Sequence, residues 1–77
     1  MPPSAQHELD TSGLNCPLPI LKTKRTMLRM AAGERIHVIS TDPASIQDFR
    51  AFAEQTGHPL LLCEERAGAF HFILEKS

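Results

Sequence analysis

Two segments, each opened by proline and closed by glycine, constrain the fold of this chain more than any other feature. Cys16-Pro17-Leu18-Pro19 precedes the first and Gly33 follows it; Asp42-Pro43 precedes the second and Gly57 follows it. Proline suits the first turn of a helix because its ring fixes φ and its missing N–H would have had no intrahelical partner. Glycine takes the left-handed conformation in which helices end. Between these marks Ile20, Leu21, Met27, Leu28 and Ala31 recur at helical spacing, as do Ile46, Phe49, Phe52 and Ala53. Helices are therefore expected over residues 19–31 and from Pro43 to Thr56, with Asp42 as the N-cap of the second.

The rest of the chain reads as strands. His7 to Thr11 alternates weakly and ends at Ser12-Gly13, and Glu34 to Thr41 sets Ile36 and Val38 on one face with His37 and Ile39 on the other. Leu60 to Glu64 is a third strand, and Ala67-Gly68 turns the chain into a fourth, Ala69 to Glu75, in which Phe70, Phe72 and Leu74 alternate. The order is βαβαββ. Right-handed crossovers place both helices on one face of a four-stranded mixed sheet, giving a two-layer α/β (α+β) sandwich. Ile39, Leu61, Cys63 and Ile73 are expected on the uncovered face as an apolar area open to partners. Residues 1–6 are expected to be a flexible tail and residues 7–77 a single domain.

Composition narrows the function classes. At 42% hydrophobic residues the chain is too apolar for a disordered segment, and no apolar run reaches the length of a membrane span. Met1 to Gln6 lacks the features of a secretion signal, so a cytoplasmic location is expected. Net charge is −1, which with the absence of interleaved basic and aromatic residues argues against nucleic-acid binding. The basic residues nevertheless cluster. Lys22, Lys24, Arg25 and Arg29 fall within eight acid-free residues after the cysteine, either as a solvated helix face or as a docking face for an acidic partner. Lys24 falls in the apolar stripe, where its stem either snorkels along the core edge or carries its charge back toward Cys16. His7, His37, His58 and His71 show no metal-ligand spacing, and neither metal nor cofactor is expected.

Cys16 and Cys63 are too few for a disulfide framework and do not form C-x-x-C. Cys63 lies within a strand, as filler or as a resolving thiol for Cys16. Cys16 stands at a helix start, where free N–H groups and the positive end of the helix dipole favour thiolate, the nucleophilic form. The plainer reading of Cys16 is a small apolar filler. Asp42, beyond its capping role, is also a candidate acid–base group.

The chain resembles the TusA/SirA/YedF-like family of small sulfur carriers over about residues 8–76. The resemblance rests on Leu9-Asp10, Gly13-Leu14, Cys16-Pro17-Leu18-Pro19, Met30, Gly33-Glu34, Asp42-Pro43, Asp48, Phe52 and the Gly68 hairpin. It implies the same two-layer sandwich. It also implies that Cys16 accepts sulfur as a transient persulfide from a cysteine desulfurase or rhodanese-like donor and passes it to an acceptor protein, with Lys22, Lys24, Arg25 and Arg29 steering the partners. Asn15 and Leu18 depart from the basic and acidic residues often found at these positions in carriers serving tRNA thiolation; molybdenum-cofactor maturation and sulfur oxidation are other routes such proteins serve. Two readings compete with the carrier: a thiol redox protein in which Cys63 resolves oxidised Cys16, and an interaction module whose cysteine is incidental.

Overall fold

The computed structural model describes residues 4–77. Six elements follow in the expected order: β1 (His7–Asp10), α1 (Leu18–Met27), β2 (Arg35–Ser40), α2 (Ala44–Thr56), β3 (Leu60–Arg66) and β4 (Ala69–Glu75). They form one mixed sheet of order β1-β2-β4-β3, with β1 parallel to β2 and β4 antiparallel to both of its neighbours. Part of the expected N-terminal tail lies outside the described residues; Gln6 is tied down, its side-chain oxygen accepting the Arg35 N–H at 2.9 Å.

Both helices cover one face. Ile36 and Val38 of β2 and Phe70, Phe72 and Leu74 of β4 meet Ile20, Met27, Phe49 and Phe52 from the helices in a single core. The rings of Phe49 and Phe72 stack with centroids 4.3 Å apart, which adds about 1 kcal/mol to the burial of their area. Buried polar side chains are paired, as burial demands. Thr23 donates to the Pro19 carbonyl at 2.8 Å, Thr11 to the Ile39 carbonyl at 2.6 Å, and the Ser40 and Ser45 hydroxyls meet at 2.6 Å.

Three expectations are corrected. The first helix ends at Met27, not at residue 31: Arg29 and Met30 N–H groups donate to the Thr26 and Met27 carbonyls in a tightened turn, and Met30 reaches the core from that turn. The Leu21 and Leu28 side chains of the expected apolar stripe are 49% and 81% exposed, and buried Thr23 fills the stripe in their place. Gly33 therefore does not cap the helix. Its positive φ of 88° lets the chain turn so that its N–H donates to the Lys76 carbonyl at 2.7 Å.

Cys63 is the second correction. The register steps between Leu60 and Leu62, so Leu61 is an extra residue and the alternation reverses beyond it. Cys63 consequently pairs with Phe72 and packs against the core, while Leu62 pairs with Ile73 on the other face. That other face is the third correction, because it is not an apolar patch. Arg35 pairs with Glu75 at 3.1 Å, and His37 contacts both Glu8 at 3.4 Å and His71 at 2.9 Å, interrupting Ile39, Leu62 and the buried Ile73.

Candidate functional site

The loop from Thr11 to Cys16 is held by the junction between β2 and α2. Thr11 and Gly13 N–H groups donate to the Ile39 carbonyl and the Thr41 hydroxyl, each at 2.8 Å, and the Cys16 N–H donates to Asp42 Oδ2 at 2.6 Å. The site thus stands beyond the carboxyl ends of the parallel pair β1 and β2, the edge at which open α/β sheets commonly place their chemistry. Asp42 serves two elements at once. Its Oδ1 accepts the Ala44 N–H at 3.1 Å while its carbonyl accepts the Ser45 N–H, so it caps α2, and its Oδ2 anchors Cys16. Pro43 has helical dihedrals, which makes Asp42 the residue before the first turn as expected.

Cys16 itself is exposed, and its thiol donates to Asp48 Oδ2 at 2.8 Å. It lines a hollow of about 170 Å³ between the two helices, together with Ile20, Lys24, Asp48, Phe52 and Gln55. The apolar-filler reading fails on that exposure. The expected thiolate fails as well, for a reason that is local. Pro17 and Pro19 have no N–H to offer an anion, and the Leu18 N–H is taken by the Asn15 carbonyl at 2.9 Å. The prolines that mark the helix start also remove two of its donors. The hydrogen bond to Asp48, partial desolvation, and the negative charges of Asp48 and Asp42 instead push the thiol above its ordinary value. The free protein therefore presents a thiol at neutral pH.

The four basic residues do not form one face. Lys22 and Arg25 flank a hollow of about 230 Å³ with Leu18 and Leu21, both about half exposed, and Arg29 lies beyond the end of α1. Lys24 lies in the inter-helix groove, its ammonium 5.8 Å from the centre of the Phe52 ring, on the same side of α1 as Cys16. Asp48 belongs to the site although its own sequence context gives it no role there. Its signal was spacing: Asp48, Ala51, Phe52 and Gln55 recur at helical intervals and all line the hollow. Among the described residues no three His, Cys, Asp or Glu side chains converge as metal ligands would, and no helix is long and apolar enough to cross a membrane.

Comparison with known proteins adds an independent line. The family model described as sulfurtransferase TusA matches residues 7–76. A sulfur carrier protein TusA from Allochromatium vinosum is 57% identical over 70 residues, covering 91% of this chain and 92% of that protein. A putative sulfur carrier protein from Neisseria meningitidis is 43% identical over 67 residues, covering 87% of this chain and 90% of that protein. The crystal structure of a SirA-like protein from Desulfitobacterium hafniense superposes with a TM-score of 0.82 at 22% identity, covering 91% of this chain and 96% of that one, which shows the shared fold.

Proposed function

The chain belongs to the TusA family, and from that premise we propose that it is a sulfur-relay carrier that holds sulfur as a persulfide on Cys16. The observation that carries the reading is the exposed Cys16 thiol at a corner fixed by backbone hydrogen bonds, beside a hollow too shallow to enclose a substrate. Chemistry at such a sulfur takes place against another protein. A cysteine desulfurase or rhodanese-like donor brings its own persulfide to Cys16, and an acceptor protein later removes the outer sulfur by thiol attack.

The exposed surface beside Cys16 has the composition of a transient docking face. Leu18 and Leu21 offer apolar area flanked by Lys22 and Arg25, while Lys24 stands apart in the groove with Cys16 and Arg29 lies beyond the end of α1. Such a face steers partners with acidic surfaces and raises their encounter rate. The carrier acts in the cytoplasm in a sulfur route such as tRNA thiolation or molybdenum-cofactor maturation, without a resident metal or cofactor. The redox reading has less support, because both cysteines are free and Cys63 packs against the core on the edge strand β3.

Incubation with a cysteine desulfurase and free cysteine, followed by peptide mass spectrometry, tests the reading. One added sulfur is expected on the Cys16 peptide and none on the Cys63 peptide. An unmodified Cys16, or equal labelling of both peptides, contradicts it.

A further inference from the structure

We propose that Asp48 is a gate on Cys16: its carboxylate holds the empty sulfur protonated against α2, and transfer proceeds when a donor's cation draws that carboxylate away. The inference rests on the carrier reading above and adds the regulation of the site and the kind of group a donor must supply.

The geometry carries it. The thiol-to-carboxylate contact of 2.8 Å joins residues 32 apart in sequence, the loop before α1 and the groove side of α2. The charged groups facing Cys16 are Asp48 and Asp42 from the α2 side and Lys24 from α1. Among the described residues Lys24 is the single cation lining the hollow beside Cys16, and its ammonium lies 5.8 Å from the centre of the Phe52 ring. Positions 17 and 19 have no N–H, the Leu18 N–H is engaged by the Asn15 carbonyl and the Cys16 N–H by the Asp42 carboxylate. Two carboxylates therefore set the field at the sulfur.

The chemistry needs that field reversed. A thiol is a poor nucleophile and its thiolate a good one. On loading, Cys16 Sγ gives up its proton and attacks the outer sulfur of the donor's persulfide. The Sγ–S bond forms, the donor's S–S bond breaks with its electron pair remaining on the donor sulfur, and that thiolate takes up one proton. One thiol is consumed and one formed, with no net oxidation. A lysine or arginine on the donor, paired with Asp48 at the moment of contact, removes both the hydrogen-bond acceptor and the negative charge that hold the proton in place.

Loading also changes what Asp48 does. Once Sγ is bonded to sulfur it has no proton to donate, so the contact with Oδ2 is lost. An ionised outer sulfur is then repelled by Asp48 and Asp42 and turns toward solvent, where an acceptor reaches it. The same carboxylate holds the empty form in and pushes the loaded form out. A carrier without cargo is thereby shielded from diffusible oxidants and electrophiles, which react with thiolates.

The test is the pH dependence of iodoacetamide alkylation of Cys16 in a Cys63→Ser background, for Asp48→Asn and Asp48→Ala, with circular dichroism verifying the fold of each. Both variants remove the charge, and Asp48→Ala removes the acceptor as well; the alkylation midpoint is expected to fall by about one pH unit. Because intrinsic nucleophilicity falls with thiol basicity, this corresponds to about a threefold faster rate at neutral pH. Asp42→Asn, whose carboxylate bonds the Cys16 N–H and not the thiol, is expected to give a smaller shift. An unchanged or higher midpoint in both folded Asp48 variants overturns the gate. Sulfur loading by a desulfurase, measured on the unsubstituted protein, separates the two ideas: its absence overturns the carrier, whereas loading with unchanged alkylation overturns the gate alone.

Discussion

The two helices begin with the same device, a residue followed by proline, and use it to opposite ends. At α2 the residue before the proline is Asp42, which caps its own helix through the Ala44 N–H, and Gly57 closes the other end with φ 79° and its N–H on the Ala53 carbonyl. At α1 the residue before the proline is Cys16, and no side chain caps the first turn. Its N–H is held by Asp42 from elsewhere in the chain, and its far end is held by the Lys76 ammonium, which donates to the Met27 carbonyl at 2.6 Å. One helix carries its end signals locally; the other borrows them. A helix whose start is fixed from outside leaves the cysteine ahead of it free for chemistry.

Substitutions can break or sharpen that contrast. Phe49→Ala, in the core under α2, is expected to cost about 3–5 kcal/mol, a loss that urea unfolding reads directly. Cys16→Ser, by contrast, is expected to leave urea stability within about 0.5 kcal/mol while abolishing sulfur loading, because the thiol is exposed. A large stability loss in that variant breaks the contrast. Asp42→Ala removes a cap and the anchor of the Cys16 corner together, and is expected to cost about 1 kcal/mol, or about 4–8 °C in Tm for a domain of this size. Asn15→Ala, one residue before the thiol, has no cap to lose and is expected to stay within about 0.5 kcal/mol. Lys76→Met, which takes the ammonium away from the Met27 carbonyl, is expected to cost about 0.5–1 kcal/mol, and a smaller effect shows that α1 needs no borrowed cap.

The smallest expected effect lies on the uncovered sheet face. Burial, and then the charges of Arg66 and His37, hold His71 below its ordinary value. The folded state therefore binds fewer protons than the unfolded state as pH falls through the ordinary histidine range. Neutral His71 contributes fully above about pH 6.5, and its contribution fades as pH falls from there toward its lower folded value. Melting temperature should decline over that window, and His71→Gln should flatten the decline. An identical decline in the variant assigns the effect to other groups.

Element order, the two-layer arrangement and the core residues Ile36, Val38, Phe49, Phe52, Phe70, Phe72 and Leu74 were legible from periodicity, because each helix or strand buries a regularly spaced face. The exceptions came from contacts that periodicity does not encode. Leu28 continues the apolar stripe of α1 by spacing, yet the helix has ended and the side chain is in solvent. Cys63 changes face because one extra residue at Leu61 shifts the alternation. At the site, the placed cysteine and the capping Asp42 were readable from their prolines. The protonated state of the thiol was not, since it depends on Asp48, 32 residues away, and on donors that the same prolines remove.

The most direct measurement of the carrier account is intact-protein mass before and after cyanide treatment of desulfurase-loaded protein. Cyanide strips sulfane sulfur and spares thiols. The account predicts a gain of one sulfur atom that cyanide removes completely and that the Cys16→Ser variant never acquires. A gain that resists cyanide, or that persists in the variant, contradicts it.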